Sequence, residues 1–322
     1  MKYLFSVFLG AVSYGILSTI VVHAYDAGYN LGEVVGSQLL TGFVLSWLMV
    51  MYMKARSRRQ EKEAGTVVEK SLTWKQRFIL MSAGIPTALT GLLYYQSLRY
   101  IPNSLAIVLL FQFTWMGVLI QAVSQRKRPN GIMLLTLAIL FGGTVLAAGI
   151  MEQGLDGFNV TGVVLGLLAA VSYTLFILFS GKAVPSVHPA YRSAWMITGG
   201  LIFVFILFPP TFLFNGVIWS SLLLFGFMLG LFGAFIPPVL FAIGVPHIGG
   251  GMAGILGAAE LPVAVMLSAV VLHEHVSVLQ WAGVVLVLLG VALPELLRSM
   301  NRGGGSRMSR RSSLPQATTS IR

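Results

Sequence analysis

Ten apolar stretches, most of them near 20 residues, constrain this chain more than any other feature. They run over residues 3–23, 31–53, 78–100, 104–123, 131–150, 161–181, 193–213, 221–244, 252–272 and 278–297. A bilayer core about 30 Å thick is crossed by roughly 20 apolar residues in a helix. A span must satisfy its own backbone hydrogen bonds, so each stretch is expected to be helical. A membrane barrel would instead alternate apolar and polar residues, and runs such as Ile107–Leu110 and Val284–Leu289 do not. The expected fold class is an all-α integral membrane protein of ten transmembrane helices.

Charge sets the orientation. The chain is 56% hydrophobic, only 10% charged, and carries a formal net charge of +11. In a soluble domain such a balance points to nucleic acid; here the placement of the charge matters more, and no nucleic-acid partner is expected. With ten alternating spans, all of the 21 Lys and Arg residues except Arg99 fall on one side. They cluster at residues 54–77, at Arg126, Lys127 and Arg128, at Lys182 and Arg192, and in the tail. The positive-inside rule makes that side cytoplasmic, with both termini there, in a cytoplasmic membrane. Residues 54–77 are expected to be a mobile loop. Residues 301–322, rich in Gly, Ser and Arg, are expected to be a disordered basic tail that meets lipid headgroups.

An internal repeat is visible. Ala11-Val12-Ser13-Tyr14 returns as Ala170-Val171-Ser172-Tyr173, and Thr41-Gly42 as Thr198-Gly199. Residues 137–143 match 284–290. The order is kept throughout, so the first apolar stretch reads as a structural span and not as a cleaved signal peptide. Five spans per copy is an odd number, so the second copy enters the membrane from the opposite side. The expected units are 1–150 and 151–300, two inverted five-helix repeats, followed by the tail. Inverted repeats commonly build alternating access around a midplane site.

Candidate site residues are the polar and aromatic positions inside spans. Glu260 is the one acid deep in a span, about 15 Å below the cytoplasmic start of its helix near Gly250. Pro262 follows and is expected to free the carbonyl near Ala258. A carboxyl at that depth is expensive unless protonated, paired or wet. Tyr14 and Tyr173 are repeat mates; Gln38 and Trp195 are mates if the Thr-Gly match holds. Tyr95, Gln96 and Gln112 complete the set, since a solute site is an apolar cavity with a few aimed polar groups. For each, packing is the plainer alternative. Pairs such as Gly32 and Gly36, or Gly226 and Gly230, read first as close helix packing. His273-Glu274-His275 reads as an external turn, because three consecutive residues do not face one ion. The absence of cysteine excludes disulfides and thiolate metal sites. No phosphate-cradling loop is present, and no cofactor is expected.

On these residues the chain resembles the EamA-like ten-helix branch of the drug/metabolite transporter superfamily. Gly257-Ala258-Ala259-Glu260-Leu261-Pro262-Val263 is similar to the family's Glu-Pro region, with Leu261 interposed. His273 to Gly283 resembles its Gly-Glu-Arg turn, with His273 in place of the Gly, and Ser97-Leu98-Arg99-Tyr100 resembles the end of its third helix. The first half has Phe113 where the second has Glu260, so a carboxylate role would be one-sided. The resemblance implies a secondary transporter of small metabolites, often an amino acid exporter, and not an enzyme. Three alternatives stay open: a carrier of nucleotide sugars or lipid-linked sugars, an intramembrane enzyme, and a non-transporting scaffold. The first would need cationic groups at midplane depth, and the second an acid–base pair.

Overall fold

Capping chemistry starts several of the helices. Thr73 and Gln76 form a reciprocal capping box before one helix, Asn30 and Glu33 form another, and Ser277 and Gln280 a third. Each pair satisfies two backbone donors that a helix start leaves open. Asn159 accepts from the N–H groups of Thr161 and Gly162, so the side chain of the Asn-Val-Thr triplet caps a helix. Pro189 sits in the first turn of its helix, where its missing N–H costs nothing.

The computed structural model describes residues 2–64, 72–101, 103–126, 131–147, 159–271, 276–290 and 292–293. No strand occurs among them. The helices are α1 (Lys2–Gly15), α2 (Leu17–Asp26), α3 (Leu31–Ala64), α4 (Trp74–Ser97), α5 (Asn103–Leu110), α6 (Phe113–Gln125), α7 (Gly131–Ala147), α8 (Val160–Lys182) and α9 (Pro189–Leu207). Then come α10 (Leu222–Leu229), a π-helical turn over Gly230–Phe235, α11 (Ile236–Ile248), α12 (Gly250–Gly257), α13 (Glu260–Val271) and α14 (Val278–Gly290). The expected apolar stretches are helical over most of their described length, the seventh leaving helix after Leu207. Seven helical segments among the described residues are long and apolar enough to cross a membrane: 2–26, 31–56, 74–97, 160–182, 189–207, 222–248 and 250–271. Gly131–Leu146 and Val278–Gly290 are shorter apolar helices. The chain is a multi-pass, all-helical membrane protein.

Several boundaries differ from the sequence reading. The second span continues as helix to Ala64, so much of the expected loop at 54–77 is a helical extension. The seventh span begins at Pro189, and Arg192 therefore lies in its first turn instead of in a loop. That guanidinium is 1% exposed. It donates to the Ala242 carbonyl at 3.1 Å and to the Ser180 carbonyl in the last turns of α8. A cation there complements the negative end of α8 and satisfies an open carbonyl. The tail at 301–322 and the His273-Glu274-His275 turn lie outside the described residues.

Packing contacts recur at constant spacings. The α1 span lies along α11, and α8 lies along α4. Ser13 donates to the Phe232 carbonyl at 2.6 Å, and Ser172 to the Pro86 carbonyl at 2.8 Å. A Cβ on Gly230 would stand 2.8 Å from the Gln38 carbonyl oxygen, and one on Gly84 would overlap the Met196 carbonyl. A Cβ on Gly42 would meet Ala234 Cβ; one on Gly200 would meet Ala88 Cβ at 3.2 Å. Gly143 faces Val287 as Gly290 faces Leu140, with a nearest approach of 2.9 Å in both cases. Within each comparison the matching residues of α4 and the π turn differ by 146, and those of α7 and α14 by 147. These contacts pair Gln38 with Met196. The expected equivalence of Gln38 with Trp195 is thus displaced by one residue, because Gly200, not Gly199, makes the contact that mirrors Gly42. Gly249, at φ +81°, supplies the turn from α11 into α12 that a side chain would strain.

Candidate functional site: an aromatic cavity around Glu260

Two spans break at the same place. Between α5 and α6, Gln112 N–H donates to Leu109 O at 3.2 Å and Thr114 N–H to Phe111 O at 3.1 Å. Between α12 and α13, Ala259 N–H donates to Leu256 O at 3.1 Å and Leu261 N–H to Ala258 O at 3.2 Å. All four residues of one set lie 147 positions from the other set. These tight turns replace the usual α-helical bonds, and the Ala258 carbonyl is used, not freed as Pro262 suggested. Phe113 opens one half-helix and Glu260 opens the other. Helix α1 ends at Gly15, where a Cβ would stand 2.6 Å from the Glu260 carbonyl oxygen. A larger residue there would push α1 away from α13.

A cavity enclosing about 840 Å³ of atom-free space, its mouth included, opens at this junction. Its walls come from α1, α2, α3, α4, α5, α8, the π turn and α13. Of the expected site residues it gathers Glu260, Tyr14, Tyr173, Gln38 and Tyr95. The Tyr14 and Tyr173 rings meet edge to face at 5.7 Å. Tyr173 O–H donates to Glu260 Oε2 at 3.4 Å, a long bond, and Tyr95 O–H donates to Gln38 Oε1 at 3.2 Å. Phe113, Tyr173, Phe176, Phe241 and Tyr14 form a continuous aromatic layer with successive centroids 4.5–6.1 Å apart. Glu260 is half-buried among these groups.

The other three expected residues stand elsewhere. Trp195 packs edge-on to Trp47 at 5.2 Å and lies under the Arg77 guanidinium at 5.4 Å. Gln96 lines a separate cleft with Arg99 and Phe208. Gln112 accepts from Trp115 Nε1 at 2.8 Å at the helix break. The cavity also holds Tyr94, another polar aromatic residue inside a span, and adds Ser18, Thr87, Thr90, Phe111 and Phe176, which are not in the expected set. Thr87, Gly91, Tyr94 and Tyr95 follow the three-and-four spacing of one helix face. That stripe of small and hydroxyl-bearing residues in α4 was the available signal.

Apolar helices gathered around a cavity lined by four tyrosines and two phenylalanines are what a membrane carrier of small solutes would need. Comparison with known proteins agrees. Residues 160–294 match the EamA-like transporter family. Uncharacterized transporter sll1319 of Synechocystis sp. is 24% identical over 237 residues, 70% of this chain and 68% of its own length. A solved crystal structure superposes with a TM-score of 0.68 over 92% of this chain and 98% of that one, at 16% identity, which speaks to fold alone. The second half of the chain is thus similar to the EamA-like transporter family, and the relative it matches is itself named as a transporter.

Proposed function

We propose that the chain is a secondary transporter that moves a small metabolite across the cytoplasmic membrane by alternating access between two inverted halves, residues 1–150 and 151–300. The observation that carries this reading is the cavity at the meeting point of the two interrupted spans, with Tyr14 and Tyr173 in contact across it. The constant spacings of the Ser13/Ser172, Gly42/Gly200 and Gly143/Gly290 contacts support the inverted repeat. The basic residues support cytoplasmic termini. In that orientation the cavity lies on the external side of the aromatic layer, and the layer is the floor that parts when the halves rock. Glu260, Tyr14, Tyr173, Gln38 and Tyr95 are the solute-contacting groups. Amino acids are the metabolites the family resemblance implies, and their export is the corresponding direction. Nucleotide sugars fit less well, because no Lys, Arg or His lines the cavity among the described residues. The test is flux of labelled amino acids and amines into proteoliposomes containing the purified chain. Saturable flux above empty vesicles is expected; its absence across the panel counts against the carrier.

A further inference from the structure

A carboxyl in the middle of a membrane is neutralised by a proton or by a cation, since a bare charge there costs too much. The cavity offers Glu260 no protein cation. Among the described residues its lining holds one acid, four tyrosines and no basic group. Three described guanidinium groups have partners elsewhere. Arg99 lies over the Tyr25 ring at 5.0 Å and Arg77 over the Trp74 ring at 4.9 Å. Arg192 is held by the Ser180 and Ala242 carbonyls. Among the described residues the Glu260 carboxyl has one hydrogen-bond partner, the Tyr173 hydroxyl at 3.4 Å, which leaves most of its acceptor capacity open. The Tyr14 and Tyr94 hydroxyls make no hydrogen bond among the described residues and face the cavity as further acceptors.

We infer that the cavity selects a monovalent organic cation, an amine bearing an apolar or aromatic body, and discriminates against solutes that also carry a carboxylate. The ammonium pairs with Glu260, its remaining N–H groups reach tyrosine hydroxyls, and the ring faces of Tyr14 and Tyr173 add cation–π attraction. Phe111 and Phe176 take the apolar body. A solute carboxylate has no donor cation to meet and lies close to a like charge. The inference rests on the carrier reading of the same cavity and puts amines in place of the amino acids that the family resemblance implies.

Three probes that share a phenyl ring test it: phenethylamine, phenylalanine and 3-phenylpropionate, titrated calorimetrically into the full chain in nanodiscs. Phenethylamine is expected to bind at least about tenfold tighter than the other two, the equivalent of about 1.4 kcal/mol. Glu260→Gln should weaken it by a similar factor, and Glu260→Asp, which keeps the charge, should retain part of it. If Glu260→Gln does not fold, Tyr94→Phe supplies the second variant, with an expected loss of about threefold for phenethylamine and no change for 3-phenylpropionate. No binding of phenethylamine, equal or tighter binding of phenylalanine, or indifference to each folded variant overturns the inference. Flux of the same probes separates the two readings. Phenylalanine bound tighter and carried overturns the cation site and leaves the carrier standing. Phenethylamine bound through Glu260 but never carried upholds the site and overturns the carrier.

Discussion

Replacing Gly84 by alanine tests whether α4 and α9 really meet backbone to backbone. A Cβ at Gly84 would overlap the Met196 carbonyl oxygen and lie 2.7 Å from Met196 Cα. Carbon atoms rest at about 3.5–4.0 Å, so the helices must part by roughly 1 Å. The obstacle is main chain, which has no rotamer to escape into. Forcing extra carbon into a packed contact costs about 1–3 kcal/mol. Gly142→Ala is the matched control, since its Cβ would find nothing nearer than Leu286 at 4.0 Å. The pair shares the same gain in helix propensity, so that contribution cancels in the comparison. The assay is thermal melting of both variants, purified in one detergent and followed by loss of the monodisperse peak on size exclusion. Gly84→Ala should melt well below Gly142→Ala, with a stability deficit of about 1–3 kcal/mol. Equal melting would refute the close approach and, with it, the contact by which Gly84 mirrors Gly230.

Three other outcomes follow from the same contacts. Ser13→Ala and Ser172→Ala each remove one interhelical hydrogen bond, and each should cost about 0.6 kcal/mol; losses differing by more than about 1 kcal/mol would argue against their equivalence. Arg192→Met strips the cation from two buried carbonyls and should lower stability by about 1.5–3 kcal/mol, with Arg192→Lys a poor rescue because one ammonium does not span both acceptors; a wild-type melting temperature for the Met variant would show that the buried guanidinium is not structural. A cysteine introduced at Ser57, the chain having none of its own, should resist an impermeant thiol reagent added outside intact cells, and labelling from outside would reverse the orientation.

What the sequence offered was matching segments and polarity; what it hid was register and side-chain direction. In the Ala-Val-Ser-Tyr match both serines make the same kind of contact, each donating to a carbonyl of the helix alongside. In the match of 137–143 with 284–290, Gly143 and Gly290 make reciprocal contacts. The Thr-Gly match misled by one position. Two adjacent glycines, Gly199 and Gly200, both touch α4, and letters alone do not say which of them mirrors Gly42. Glu260 stood out as an acid among apolar residues, and Tyr14, Tyr173, Gln38 and Tyr95 as polar groups inside spans. Trp195, Gln96 and Gln112 satisfied the same rule yet lie off the cavity, because a polar residue in a span also serves a neighbouring tryptophan, a separate cleft or a helix break. Arg192 read as a loop residue because positive charge marks loops; its burial depends on carbonyls from α8 and α11 that no local pattern announces.

The central claim is that Glu260, beside Tyr14 and Tyr173 at the junction of the interrupted spans, works on the solute as it crosses. Glu260→Gln keeps the shape and most hydrogen-bonding capacity while removing the carboxyl's ability to hold a charge. The direct measurement is initial flux per inserted molecule for wild type and Glu260→Gln, in proteoliposomes, with a solute that the wild type carries. The account predicts a fall of at least about tenfold with the variant still folded and inserted. Equal flux from the two proteins would contradict it and leave Glu260 a packing residue.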